Sequence, residues 1–316
     1  MKLVIQIPCL NEEKTLPLVL ESIPKKMPGI SSIDILIIDD GSTDKTVEIA
    51  KKYGVKHIIH HRRNMGLARS FRDGVDYALE IGADIVVNTD GDNQYPQEKI
   101  ADLVQPILND KADIVVADRQ THTIEHFSPL KKLLQRFGSW VVNVAADTNL
   151  PDAASGFRAY SRQSLLRLNI VTEFSYCMET IIQAGHKRMA ITSIPVTTNP
   201  KTRESRLFKN IWQHIFYSGS AIVRSYLMYK PNVIFVNFGL VLFVVGLIPF
   251  IRYLILLATQ TPGSHIQSLI FGVVIMFSAF FCFTLAIIAD LIRTNRILQE
   301  EQLEQQRTSR FYKKSK

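Results

Sequence analysis

Asp90, Asp92 and Gln94 set two carboxylates and a carboxamide on alternate positions of one short stretch, with Gly91 between the first two. Alternate residues of an extended chain face the same way, so three oxygen donors point into one space. Donors of this kind suit a hard divalent cation, Mg²⁺ or Mn²⁺, shared with the phosphates of a substrate. The preceding Ile85-Val86-Val87-Asn88 is a β-branched run without helical spacing, which predicts a buried strand. The donors therefore stand just past a strand's carboxyl end, where open α/β sheets bind their ligands. A lone Asp-x-Asp is as often a solvated acidic turn, so the neighbouring stretches decide between the two.

Three more loops carry polar side chains at the ends of predicted strands. Lys2–Pro8 alternates and then runs apolar into Cys9-Leu10-Asn11-Glu12-Glu13. Asn11 reads as an N-cap, with Glu12 and Glu13 in the first turn of a helix reaching about Ile23. Ile33–Asp39 is a second strand, ending in Asp39-Asp40-Gly41-Ser42-Thr43-Asp44 before a helix over Thr46–Tyr53. Val55–His61 is a third strand, followed by Asn64-Met65-Gly66 and a helix to about Ile81. After the acidic stretch come a helix over Pro96–Leu108 and a strand over Ala112–Ala117 that ends at Asp118-Arg119. Strands alternating with helices of these lengths predict a mainly parallel α/β sheet. Farther on, a helix over Ser128–Asp147 precedes the loop Asp152–Arg162, which runs into a short strand. A helix over Tyr176–Ala184, carrying Glu179, and a strand over Met189–Thr197 complete this region.

The chain has 316 residues and a formal net charge of +8. Its Lys and Arg concentrate in Lys201–Lys230 and after Ile292, both beside strongly apolar stretches, which points to a bilayer surface rather than to nucleic acid. Phe208–Tyr229 spaces Ile211, Trp212, Ile215, Phe216, Ile222 and Val223 between basic residues, the pattern of an amphipathic interfacial helix. Val233–Leu257 and Ile266–Ala289 each exceed the roughly 20 apolar residues needed to cross a hydrocarbon core. The linker Ala258–His265 has no Lys or Arg, whereas the tail from Leu291 has seven. The positive-inside rule then puts the tail and the α/β domain on the cytoplasmic side of an inner or cell membrane, with two passes. Within the tail, Leu298–Arg307 reads as a solvated helix with frayed ends. Cys9, Cys177 and Cys282 lack disulfide or metal-ligand spacing, which fits a reducing compartment. The expected division is residues 1–207 for the α/β domain, 208–230 for the amphipathic helix, 231–292 for the hairpin and 293–316 for the tail.

In this order, the Asp39-Asp40-Gly41-Ser42-Thr43-Asp44 and Asp90-Gly91-Asp92 segments resemble the family 2 glycosyltransferases, whose fold is the Rossmann-like GT-A nucleotide-sugar fold. The resemblance covers about Met1–Phe208. The membrane hairpin and Ser155-Gly156-Phe157-Arg158 narrow it to the polyprenyl-phosphate glycosyltransferases, a group that includes dolichol-phosphate mannose synthase. It implies transfer of one sugar from a nucleoside-diphosphate sugar to a polyprenyl or dolichyl phosphate, with inversion. UDP-sugars are the preferred donors on family grounds and GDP-mannose the next. It further implies that Pro8, Leu10, Glu12, Asp39 and Asp40, with Asp90 and Gly91, line the nucleotide-sugar pocket. Asp90, Asp92 and Gln94 would hold Mg²⁺ or Mn²⁺, with Asp92, Arg119 and Arg158 as the catalytic set. Ser155, Arg158, Arg203 and Arg206 would meet the acceptor phosphate. Two departures stand out: Leu10 replaces a frequent aromatic residue, and Thr202-Arg203-Glu204-Ser205-Arg206 replaces a Gly-Glu-Ser-Lys-like segment. Relatives of this kind can self-associate through their membrane helices, so a homo-oligomer is compatible with the sequence.

The chemistry agrees with the resemblance. Breaking a sugar–diphosphate bond calls for positive charge on the leaving group, which a divalent cation and arginines supply. A phosphate monoester has a second pKa of about 6, so at cytosolic pH it is mostly dianionic and needs no strong base. It needs cationic positioning, which the planar fork of arginine provides. Simpler readings run alongside: Asp39 as the cap of its own turn, Arg158 in an ion pair with Asp152, and Glu179 on a helix surface. His57, His60 and His61 surround a strand end without a set of metal ligands, and Asn64-Met65-Gly66 reads as a turn. Three other functions compete, one of them a nucleotidyltransferase, which would carry a Gly-rich, Arg-containing amino-terminal loop. A processive polysaccharide synthase would carry a Gln-x-x-Arg-Trp segment, and a catalytically inactive, membrane-anchored nucleotide-sugar-binding scaffold would not need Asp90, Asp92, Arg119 and Arg158.

Overall fold

The computed structural model describes residues 1–121, 129–170, 176–200, 231–260 and 266–312. Within the first compact unit, which spans Met1–Ile222 and Glu301–Lys316, a seven-stranded sheet has the order β3-β2-β1-β4-β6-β5-β7. The strands are β1 Lys2–Cys9, β2 Ser32–Asp39, β3 His57–His60, β4 Ile85–Asn88, β5 Ile114–Asp118, β6 Arg158–Ser161 and β7 Ile191–Pro195. All neighbours pair in parallel except β6, which runs antiparallel to both β4 and β5. Leu3, Ile5, Val86, Val87, Val115 and Val116 are almost fully buried, because helices cover both faces of the central strands. Those helices are α1 Leu16–Ser22, α2 Thr46–Lys52, α3 Leu67–Glu80, α4 Ile100–Leu108, α5 Pro129–Ala146, α6 Arg162–Arg167 and α7 Tyr176–His186.

The expected α/β alternation is present, with one change of order that matters for the site. β6 inserts between β4 and β5 and aligns Arg158 with Asn88 on one side and Val116 on the other. Because β6 is antiparallel, its amino end lies at the edge where β4 and β5 finish. The loop before β6 therefore arrives between the Asp90–Gln94 turn and Arg119.

Two helices, α8 Pro231–Ala258 and α9 Ile266–Tyr312, are long and apolar enough to cross a membrane. The second unit, Val223–Glu300, contains α8 and most of α9. Large apolar side chains such as Phe238, Val241, Ile248, Phe271, Phe280 and Ile287 are exposed along both helices, as a lipid environment requires. Between the two helices, a Cβ on Gly239 would lie 2.8 Å from the Phe283 ring and one on Gly246 2.8 Å from Met276, so these glycines permit close approach. Asn232 donates to Asp290 at 2.9 Å in the same unit.

Leu298–Arg307 is the largely exposed helix expected of the tail, but it does not fray. α9 continues unbroken to Tyr312, and its last turns belong to the first unit. Phe311 is buried there, and Arg307 pairs with Asp76 while donating to the carbonyls of Leu168 (2.6 Å) and Leu165 (3.3 Å). The guanidinium supplies donors to carbonyls left over at the end of α6, and this holds the tail in place. The amphipathic helix expected over 208–230, and Arg203 and Arg206 before it, lie outside the described residues.

Candidate active site

β1 and β2 pair with Cys9 beside Asp39, so their following loops leave the sheet together. They interlock through a row of hydrogen bonds. Asn11 adopts a left-handed backbone (φ 55°), its carboxamide oxygen accepts the Thr43 N–H at 2.8 Å, and its own N–H donates to Ser42 Oγ at 2.9 Å. Glu12 N–H donates to Thr46 Oγ1 at 2.8 Å and Glu13 N–H to Asp44 at 3.0 Å. Asn11 is therefore not the helix cap that its type suggests; α1 starts only at Leu16, and Asn11 ties two loops together. Partial burial works against charge on Asp44, but hydrogen bonds from Thr46 and the Glu13 N–H outweigh it and hold the carboxyl below its ordinary range.

Asp39 is fully buried and does cap its own turn, with the Ser42 N–H donating to Oδ1 at 3.1 Å. Its other oxygen lies 2.6 Å from His60 Nδ1. Asp40 takes the N–H groups of Met65 and Gly66 at 2.8 and 2.9 Å and lies 2.8 Å from His61 Nδ1. Both Asp40 oxygens are thus engaged by the chain, and Asp40 shapes the loop cluster through the Asn64–Gly66 turn. The histidines buttress these two carboxylates.

The Asp90–Gln94 turn packs directly onto the first loop. A Cβ on Gly91 would stand 3.0 Å from Cys9 Sγ and 3.3 Å from Glu12 Cγ, so any larger residue would make those side chains give way by a few tenths of an ångström. Gly156, in the loop before β6, meets the other side: its Cβ would lie 3.5 Å from the Asp90 carboxylate and 3.2 Å from the Tyr176 hydroxyl. A buried polar chain supports that contact. Gln6 donates to Asn88 at 2.9 Å, and Asn88 donates to the Tyr176 hydroxyl at 2.7 Å and the Gly156 carbonyl at 3.0 Å. The Gly156 N–H donates to Tyr95 Oη at 3.1 Å. Gly156→Ala should leave Asp90 in ordinary contact but crowd the Tyr176 hydroxyl, which must give by a few tenths of an ångström and loosen its bond from Asn88, so turnover should fall by roughly two- to tenfold. Turnover and circular dichroism of the purified variant check this; wild-type turnover would show that the Asn88–Tyr176 contact does not matter to the site.

Arg119, at the end of β5, is clamped by Asp152: Nε donates to Oδ2 at 2.6 Å and Nη2 to Oδ1 at 2.9 Å, leaving Nη1 outside the fork. Burial opposes the charge on Arg119, but the surrounding Tyr95 and Asp152 raise its pKa above the ordinary value, so it stays cationic. Asp152 therefore pairs with Arg119 and not with Arg158. Arg158 itself departs from the phosphate contact expected of it. It is fully buried, and its donors serve the carbonyls of Ser155 (2.7 Å), Ala153 (2.8 Å) and Cys177 (2.8 Å) and the Thr180 hydroxyl (2.9 Å). Arg158 is the internal frame of the loop that carries Ser155 and Gly156. The Ser155 hydroxyl is buried and, among the described residues, has no hydrogen-bond partner. Glu179 is buried on α7 and accepts from Gln183 at 3.3 Å, so it is not a surface charge.

The structure thus brings Pro8, Leu10, Glu12, Asp39, Asp90, Asp92, Gln94, Arg119 and Ser155 to adjoining loops of one sheet edge. Asp44, Thr46, Asp152 and Tyr95 complete that edge. Asp44 and Thr46 were visible in the loop after β2, whereas the pairing of Asp152 with Arg119 crosses the inserted β6. Burial, and then the nearby Glu12, Asp39 and Asp90, push the Cys9 thiol well up, which leaves no thiolate nucleophile there. The donor set is all hard oxygen, with two carboxylates and one carboxamide on one turn, and fits Mg²⁺ or Mn²⁺ completed by substrate phosphates. Among the described residues no three His, Cys, Asp or Glu side chains are grouped so as to hold a metal ion by themselves.

Residues 4–168 match the family described as Glycosyl transferase family 2. Over 213 residues the chain is 29% identical to UDP-N-acetylglucosamine–dolichyl-phosphate N-acetylglucosaminyltransferase of Methanococcus voltae, covering 61% of this chain and 83% of that one. It is 24% identical over 202 residues to polyprenol monophosphomannose synthase of Mycolicibacterium smegmatis, covering 60% and 75% of the two chains. Among solved structures, glucosyl-3-phosphoglycerate synthase from Mycobacterium tuberculosis with Mn²⁺, UDP-glucose and phosphoglyceric acid superposes with a TM-score of 0.55 at 20% identity, over 72% of this chain and 78% of that one. The same synthase with Mg²⁺ and UDP gives a TM-score of 0.51 at 19% identity, again over 72% and 78%. The shared fold is GT-A.

Proposed function

The chain belongs to glycosyl transferase family 2, and from that membership we propose that it moves one sugar from a nucleoside-diphosphate sugar to a polyprenyl or dolichyl phosphate at a membrane. The observation that carries this reading is the meeting of the Asp90–Gln94 turn with the Ser155–Gly156 loop at the carboxyl edge of the sheet, beside a clamped and cationic Arg119. The names of the relatives, which act on dolichyl and polyprenyl phosphates, support the acceptor class. UDP-sugars are the preferred donors and GDP-mannose the second choice. The UDP-sugar named in the Methanococcus voltae relative supports that order.

Asp90, Asp92 and Gln94 would hold the divalent cation, which when bound supplies positive charge to the leaving diphosphate. Pro8, Leu10, Glu12 and Asp39 would bound the nucleoside side, with Asp40 holding the Asn64–Gly66 turn beside them. Arg119 adds fixed positive charge, and its Asp152 clamp keeps it oriented without reorganisation. The unpartnered Ser155 hydroxyl is a donor for the acceptor phosphate. A phosphate dianion needs no deprotonation, which matches a site whose cysteine is neutral and whose histidines buttress carboxylates. Direct displacement at the anomeric carbon inverts its configuration.

The membrane reading assigns 1–207 to the transferase domain, 208–230 to an interfacial helix, 231–292 to a two-pass hairpin and 293–316 to a cytoplasmic tail. On α5, Phe137, Trp140 and Val144 are exposed along one face near the exposed Arg136, a composition that suits the headgroup boundary. Such a face would let the catalytic unit reach a lipid-borne phosphate.

The test is transfer of radiolabel from a panel of nucleotide sugars into butanol-extractable lipid. It uses purified protein, a short polyprenyl phosphate and Mg²⁺ or Mn²⁺. Label should enter lipid from one donor, and a chelator should abolish it. Metal-dependent nucleotide binding with no lipid label from any donor would overturn the acceptor assignment and favour the scaffold. A ladder of products would favour a processive synthase.

A further inference from the structure

We propose that Asn199 is a positioning residue for the cation site, acting through Gln94; this rests on the metal reading above. After β7, Val196 N–H donates to the Asp118 carbonyl at 2.8 Å, and the chain then crosses to the Asp90–Gln94 turn. There the Asn199 N–H donates to the Gln94 carbonyl at 2.9 Å, and Asn199 Nδ2 donates to the Asn93 carbonyl at 3.0 Å.

These two bonds have a specific geometric consequence. The Asn93 carbonyl belongs to the peptide before the Gln94 Cα and the Gln94 carbonyl to the peptide after it. Pinning both peptide planes fixes the direction in which the Gln94 side chain leaves the backbone. The turn has its own local tie, the Gln94 N–H to Asp92 Oδ1 at 3.1 Å, and Asn93 sits in a left-handed conformation (φ 58°). Local ties link Gln94 to Asp92, while the carbonyl side of the turn, outside the sheet ladder, needs donors from elsewhere. Asn199 supplies two at once, about a hundred residues away in sequence, and its carboxamide is required because a carboxylate at that position would face a carbonyl with no proton.

The experiment measures Mn²⁺ binding to the full-length protein by the electron paramagnetic resonance of free Mn²⁺, with UDP present and, in a parallel series, GDP. Asn199→Ala should weaken Mn²⁺ binding about tenfold, the usual cost of losing an orienting partner of a metal ligand. Asn199→Asp, which keeps the shape and the backbone N–H, should weaken it at least as much. In a Gln94→Ala background, Asn199→Ala should add less than about twofold, because the two residues act as one unit. Wild-type affinity in Asn199→Ala or Asn199→Asp would overturn the proposal. So would a full additional loss in the Gln94→Ala background, which marks general damage to the fold. Asp92→Asn separates the two levels: if it binds Mn²⁺ like the wild type, the metal reading falls, and the role of Asn199 falls with it.

Discussion

Asp92→Asn should lower sugar transfer to lipid phosphate by about a hundredfold or more while leaving the fold in place. The substitution keeps the shape of the side chain, and an asparagine oxygen can still accept the Gln94 N–H that now reaches Asp92 at 3.1 Å. What it removes is a negative charge, in a nearly buried position, that would bind the cation on the donor diphosphate. Electrostatic groups aimed at developing charge are commonly worth ten- to a thousandfold each, and here the loss extends to the cation itself. The variant should therefore show an unchanged far-ultraviolet spectrum and melting temperature with little lipid label, and partial recovery at raised Mn²⁺. Wild-type transfer would remove Asp92 from the cation site.

Arg158→Ala should be the most destabilising of these substitutions, by about 3 kcal/mol or more, because it strips the donors from three buried carbonyls. It also empties the volume of the largest fully buried side chain among the described residues. For a unit of this size each kcal/mol shifts the melting temperature by about 2–4 °C, so a fall near 10 °C is expected. Lysine cannot reproduce the fork, and Arg158→Lys should recover less than half of the loss. If Arg158→Ala instead melted like the wild type and raised only the KM for the lipid acceptor, direct phosphate contact by Arg158 would be restored. Its expected behaviour separates Arg158 from Arg119, whose side chain is only partly buried at the sheet edge.

The sequence by itself determined the parallel framework, because buried β-branched runs such as Ile85–Asn88 and Ile114–Ala117 have few other stable uses. It also determined which loops gather at the carboxyl edge, since parallel strands all end on one side, and it marked the two long apolar helices by length and composition. The acidic stretch was legible in its residue types but not in its conformation: the extended alternation expected of Asp90, Asp92 and Gln94 gives way to a turn, with the Gln94 N–H on Asp92 Oδ1 and Asn93 at φ 58°. Only the tertiary structure decided what each cation faces. Arg119, Asp152 and Arg158 are all visible in the chain, but the antiparallel entry of β6 between β4 and β5 pairs the first two and buries the third among carbonyls. Asn11 has the type of a helix cap, and the neighbouring loop claims it instead. Asn199 and Arg307 carry no motif, because their partners lie about 105 and 139–231 residues away and are chosen by the fold. Local spacing and burial pattern are written along the chain; hydrogen-bond partners between distant loops depend on strand order, which one-dimensional periodicity does not encode.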